Sequence, residues 1–133
     1  MIEKFSPATV HEPPGYSHVT VSSAGRLAHL AGQCPLDLSG KVVGEPGDFD
    51  AQTDQVIANC LAVLAAAGAE PGDVVRSVIY VVSSETAVLA SVWDRLNASP
   101  LAPAFSTAST LLGVAALGFG GQLVEVDLTA ALS

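Results

Sequence analysis

The segment 123–129 places the tightest constraint on how this chain can fold. Val124, Val126 and Leu128 alternate there with Glu125, Asp127 and Thr129. Successive side chains of a strand point to opposite faces, so this strand buries one side and presents carboxylates on the other. A sheet built on it needs an apolar layer on one face, and two helical segments can supply that layer. In residues 50–67, Val56, Cys60, Val63, Leu64 and Ala67 recur at helical spacing, with Asp48 or Asp50 as cap and Gly68 as stop. Ser84 and Glu85 open a second helix whose stripe is Val88, Leu89, Val92, Trp93 and Leu96, and residues 97–103 end it.

The remaining segments read as strands and turns. Residues 18–21 and 27–31 are strand-like, and Ser23-Ala24-Gly25-Arg26 between them has hairpin chemistry. Residues 73–82 are rich in β-branched side chains between Pro71-Gly72 and Ser83-Ser84, and read as a buried strand. A strand-like run at 110–116 and a turn at Gly118, Gly120 and Gly121 lead into the last strand. Everything up to Tyr16, with Pro7, Pro13 and Pro14, reads as irregular. The order β-β-α-β-α-β-β over residues 1–133 describes a single α+β domain, a two-layer sandwich with both helices on one face of a mixed sheet. The other face then needs cover. In a chain that is 50% hydrophobic, that cover is expected to be a partner.

Charge narrows the function. Five cations, Lys4, Arg26, Lys41, Arg76 and Arg95, stand singly against 13 acidic residues, for a net charge of -8. Binding of nucleic acid depends on clustered Lys and Arg at phosphates, and an anionic membrane surface makes a similar demand, so neither partner is expected. No run approaches the roughly 18 apolar residues of a membrane span, and the N-terminus has no basic segment followed by an apolar stretch. Cys34 and Cys60 read as two reduced thiols, which points to a cytoplasmic protein. No Cys/His spacing suggests a metal and no cofactor is called for; His11, His18 and His29 form no serine–histidine–acid ordering.

Several motifs, taken in order, resemble the Rid family, the YjgF-like reactive intermediate deaminases. They are Gly15-Tyr16-Ser17-His18, Leu30-Ala31-Gly32-Gln33-Cys34-Pro35-Leu36-Asp37, Gln52-Thr53 with Asn59, Ala65-Ala66-Ala67-Gly68-Ala69, and Asp73-Val74-Val75-Arg76. Gly113-Val114-Ala115-Ala116-Leu117 and Leu123-Val124-Glu125-Val126-Asp127 complete the set. The resemblance implies a chorismate-mutase-like fold, a homotrimer with a central β-barrel, and small-molecule pockets in the clefts between subunits. The chemistry it implies is hydrolysis of enamines and imines, in which an arginine holds the substrate carboxylate and a glutamate positions water.

Carried over residue by residue, the resemblance makes Glu125 the catalytic glutamate, a base beside water at the subunit interface. Tyr16 matches the tyrosine whose hydroxyl orients ligand or water, and Gly32 offers backbone groups to a ligand. The arginine is missing. Aligning on Pro103-Ala104-Phe105-Ser106 puts Phe105 at its position, 20 residues before Glu125. Aligning on Gly113-Val114-Ala115-Ala116-Leu117 puts Ser109 there, 16 residues before Glu125, which fits the family spacing better. Neither side chain can clamp a carboxylate, which forfeits a charge-assisted hydrogen bond worth about 1.5–3 kcal/mol. The hydroxyls of Ser106, Thr107, Ser109 and Thr110 suit a neutral or polar ligand instead. The expectation is therefore a trimer that binds, and hydrolyses, a small imine, enamine or related metabolite at its inter-subunit clefts, with efficient deamination of 2-iminoacids not expected. A trimer that only binds a small molecule is the alternative, and an endoribonuclease of the L-PSP type is disfavoured by charge.

Overall fold

The computed structural model describes residues 1–23 and 25–133. In chain order the elements are β1 (Ile2–Phe5), β2 (Val19–Ser22), β3 (Arg26–His29), α1 (Phe49–Ala66), β4 (Val74–Val81), α2 (Thr86–Asn97), β5 (Ala108–Gly113) and β6 (Val124–Leu132). Four strands form the main sheet in the order β3-β6-β4-β5, antiparallel except for the parallel β4–β5 pair. Both helices lie on one face, giving the α+β two-layer sandwich with a mixed sheet.

The alternation in β6 organises the core. Val124, Val126, Leu128 and Ala130 are buried, whereas Glu125, Asp127 and Thr129 are half-buried on the far side. The buried side packs with Val56, Cys60 and Leu64 of α1 and Val92 and Leu96 of α2. Asp48 caps α1, its Oδ1 accepting from the Ala51 N–H at 2.9 Å. The chain leaves α1 through Gly68 at φ +79°, a left-handed conformation that favours glycine. Gln52 ties α1 to the turn before β6: its Nε2 donates to the Gly121 carbonyl at 2.9 Å, and its Oε1 accepts from the Leu123 N–H at 2.7 Å. The face turned away from the helices carries Val78, Tyr80, Glu125 and Asp127, and Leu27 and Leu112 on it are 47% and 40% exposed.

The N-terminal segment and the expected hairpin depart from the sequence reading. Residues 2–5 form β1, which pairs with β2 in register Ile2↔Ser22 through Phe5↔Val19. The segment before Tyr16 is thus not wholly irregular. β2 and β3 belong to different sheets rather than to one hairpin, and Ala24 of the proposed turn lies outside the described residues. The physical reason is long-range pairing. β3 finds β6, with Ala28 opposite buried Ala130, while Thr20 of β2 uses its hydroxyl to accept from the Ala108 N–H at 2.8 Å. The β1–β2 ribbon thereby docks at the start of β5. β5 begins and ends earlier than the pattern suggested, and β6 runs on to Leu132.

Candidate functional site

Glu125 lies between buried Val124 and Val126 and therefore projects from the helix-free face of the sheet. The loop after β3 runs beside it, fixed by reciprocal bonds: Gln33 N–H to Val126 O at 2.7 Å, and Val126 N–H to Gln33 O at 3.1 Å. This brings Gly32 against the carboxylate so closely that a Cβ there would overlap Glu125 Oε2. A larger residue at position 32 would push the Glu125 carboxylate out of the place it occupies. Two donors converge on the other oxygen. Cys34 Sγ–H reaches Oε1 at 3.2 Å and Gln122 Nε2 reaches it at 3.1 Å. Gln122 is buried, and its own Oε1 accepts from the Phe119 N–H at 3.2 Å. Asn59 of α1 holds the loop by donating to the Cys34 and Leu36 carbonyls at 2.9 and 3.0 Å. Oε1 is thus committed, and Oε2 accepts no hydrogen bond from the described residues. Cys34 and Gln122 were not foreseen as members of this cluster; the Gly32-Gln33-Cys34-Pro35 motif was the only pointer to one of them.

Tyr16 and Ser109 meet elsewhere. They line a cleft of about 620 Å³ together with Leu89, Trp93, Asp94 and Leu111. The Tyr16 hydroxyl meets His11 Nε2 at 2.7 Å, and its ring lies edge-on to Trp93 with centroids 6.4 Å apart. His18 braces this corner, its Nε2 donating to the His11 carbonyl at 2.8 Å. Ser109 Oγ contacts the hydroxyl of Ser77, which is buried, so Ser109 lies on the helix-covered side of the sheet. It also reaches the Phe105 and Thr107 carbonyls, each at 3.1 Å.

Phe105 does not line the cleft. It is fully buried in a short helical turn beneath Trp93, ring centroids 6.1 Å apart. The other hydroxyls of the expected cluster are engaged away from the cleft as well. Ser106 accepts from Lys4 Nζ, Thr107 pairs with Thr20, and Thr110 accepts from Arg76 Nη2. Of the five cations none lines the cleft, and Arg95 turns instead to α1, where Nε and Nη2 each donate to Asp54 at 2.8 Å. Within one protomer the two groups of residues therefore lie on opposite faces of the same sheet, Glu125 with Gly32 on one and Tyr16 with Ser109 on the other.

Burial, reinforced by the hydrogen bond to Glu125, pushes the Cys34 thiol up to about 11, and burial pushes Cys60 up to about 12. Both are free thiols and stay protonated at neutral pH. Their folded values lie above the ordinary thiol value of 9.0, so the stability they contribute is fully present below about pH 9 and is lost as pH rises through 11 to 12. Denaturant midpoints measured from pH 7 to 11 are expected to fall on the alkaline side, and the fall is expected to shrink in Cys60→Ala relative to its own neutral value. An unchanged alkaline slope in that variant would contradict this.

The fold and site define a two-layer α+β protein with a carboxylate-bearing open sheet face. The family profile described as Endoribonuclease L-PSP matches residues 8–132, and the chain belongs to that family, which includes the Rid and YjgF-like proteins. It is similar over 98% of both chains to YyfB from Yersinia pestis, a protein of unknown function of the conserved Rid protein family, at 38% identity and TM-score 0.87. RidA from the Antarctic bacterium Psychrobacter sp. PAMC 21119 superposes with TM-score 0.64 at 27% identity, covering 97% of this chain and 94% of that one. Protein DfrA from Myxococcus xanthus is 40% identical over 65 residues, 49% of each sequence. The chain spans about half the length of the curated relatives it matches. Among the described residues no helix is long and apolar enough to cross a membrane, and no group of His, Cys, Asp and Glu is arranged for a metal ion.

Proposed function

We propose that copies of this chain assemble as a homotrimer in which the cleft of one protomer faces the Glu125 surface of the next, and that each composite site takes up and hydrolyses a small imine or enamine without a carboxylate. One observation carries the reading: Glu125 and the Tyr16–Ser109 cleft lie on opposite faces of one sheet, so a site using both draws on two copies. The exposed Leu27 and Leu112 on the sheet face that carries Glu125 support cover of that face by another subunit.

In the proposed reaction Glu125 takes a proton from water as the water oxygen bonds to the imine carbon, and the C=N π pair moves to nitrogen. Glu125 hands that proton to the nitrogen, giving the neutral carbinolamine and restoring the carboxylate. It then takes the carbinolamine's hydroxyl proton and passes it to the same nitrogen as the C–N bond breaks, so that the carbonyl compound and ammonia leave and Glu125 is again ionised. The committed Oε1 orients the carboxylate, leaving Oε2 as the proton acceptor. Ser109 in place of a guanidinium, with no other cation lining the cleft, supports a substrate lacking a carboxylate.

The test is a panel of imines generated in situ from amino acids and from simple amines, with released ammonia followed, alongside the solution mass relative to 13.4 kDa. Turnover of the non-carboxylated set by a trimer is expected. Turnover confined to 2-iminoacids would overturn the substrate assignment, and a monomer active at low concentration would overturn the composite site. Binding without turnover would leave the alternative reading, a trimer that only binds its ligand. RNA cleavage is not expected from five scattered cations in a chain of net charge -8.

A further inference from the structure

We infer that the cleft selects a cation: a protonated amine or iminium on an apolar body, held against Asp94 and the aromatic rings of Trp93 and Tyr16. The inference rests on the reading of this cleft as the ligand site and adds the charge of the ligand. Among the described residues the only charged side chain lining the cleft is Asp94. Its carboxylate has no hydrogen-bond or ion-pair partner there, because the neighbouring Arg95 is turned to the other side of α2 and engaged by Asp54 and Asp50. A carboxylate on an exposed helix beside an apolar hollow is open to a ligand's positive charge.

The walls favour the same ligand. Trp93 and Tyr16 stand nearly perpendicular, at 83°, and Leu89 and Leu111 complete an apolar lining. Aromatic faces carry negative quadrupole density and attract ammonium and iminium groups, indole most strongly. The Tyr16 hydroxyl is held by His11 at 2.7 Å, which fixes the ring at the wall of the cleft. An anion entering the cleft would meet Asp94, no compensating cation, and the field of a chain with net charge -8. A protonated imine carries the matching charge, and its carbon is more electrophilic than that of the neutral form. The same cleft that excludes 2-iminoacids therefore suits the reactive form of a simple imine.

Trp93 is the single tryptophan of the chain, so indole fluorescence reports on this cleft directly. The full-length protein would be titrated with 2-phenylethylammonium, with 3-phenylpropionate and with 2-phenylethanol as matched cation, anion and neutral probes, and calorimetry would detect binding that leaves fluorescence unchanged. The cation is expected to bind tightest, with affinity falling as salt rises. Asp94→Asn is expected to weaken it by about two- to fivefold, the range of an exposed charge pair, and to flatten its salt dependence. Glu45→Gln, a change of equal charge at a residue that does not line the cleft, is expected to leave it unaltered. Equal or tighter binding of the anion, an unaffected Asp94→Asn variant, or no binding of any probe by either method would overturn the inference. Cation binding weakened in Asp94→Asn, with no imine turnover by the wild type, would uphold the inference while refuting the hydrolase reading. Imine turnover with no preference for the cation would do the reverse.

Discussion

Glu125→Gln is expected to lower imine turnover by about 10²–10⁴-fold, the contribution of a well-placed general base, while ligand binding in the cleft survives. The size and cleanness of the effect follow from the two donors on Oε1. Cys34 Sγ–H and Gln122 Nε2 point at one oxygen only. A glutamine side chain satisfies both by turning its carbonyl to that position, which puts its amide nitrogen where Oε2 stood. The replacement is thus nearly isosteric, keeps its hydrogen bonds, and removes only basicity. Stability measured by denaturation is expected to change little, so lost turnover cannot be attributed to unfolding. Undiminished turnover in Glu125→Gln would place the base elsewhere in the site. A wild-type protein that binds cleft ligands without consuming them would instead identify a binding protein, for which the variant has no turnover to lose.

Much of the fold was legible because it follows from one-sided elements. β6 alternates without interruption from Val124 to Leu128, and α1 carries a five-residue apolar stripe between an Asp cap and a Gly stop. Such patterns have only one way to bury themselves. β1 was illegible for the opposite reason: four residues, Ile2 to Phe5, bury almost nothing and become a strand only through β2. The hairpin expectation failed because a turn sequence reports local conformation and not the partner that each strand will choose. At the site, the motif reading singled out Glu125 and Gly32, which the fold brings into contact. It could not reveal Gln122, whose amide reaches Glu125 only because the turn before β6 folds back and its own oxygen is pinned by the Phe119 N–H. Nor could it reveal that Ser109 and Glu125 face away from each other. That depends on strand register, with Ser109 beside buried Ser77 and Glu125 opposite Tyr80.

Phe105→Ala is expected to cost about 3–5 kcal/mol of folding stability, the usual range for emptying a buried aromatic site, with a fall in Tm of roughly 10–20 °C. Phe105 is fully buried, and its ring supports Trp93 from below. The loss should therefore be accompanied by a change in Trp93 fluorescence in the native protein, since the indole loses the surface it rests on. Wild type and variant have to be compared at one protein concentration, because self-association adds stability by mass action. Phe105→Leu, which keeps most of the apolar volume, is expected to recover a large part of the loss. The pair of variants also decides between the two alignments of the missing arginine. A residue at the ligand-clamping position would, when truncated, alter which ligands bind and leave stability nearly untouched. A core residue does the opposite, lowering stability while the charge preference of the cleft persists in whatever fraction remains folded. Retained stability together with altered ligand charge preference in Phe105→Ala would move the clamp position from Ser109 to Phe105 and contradict the packing described here.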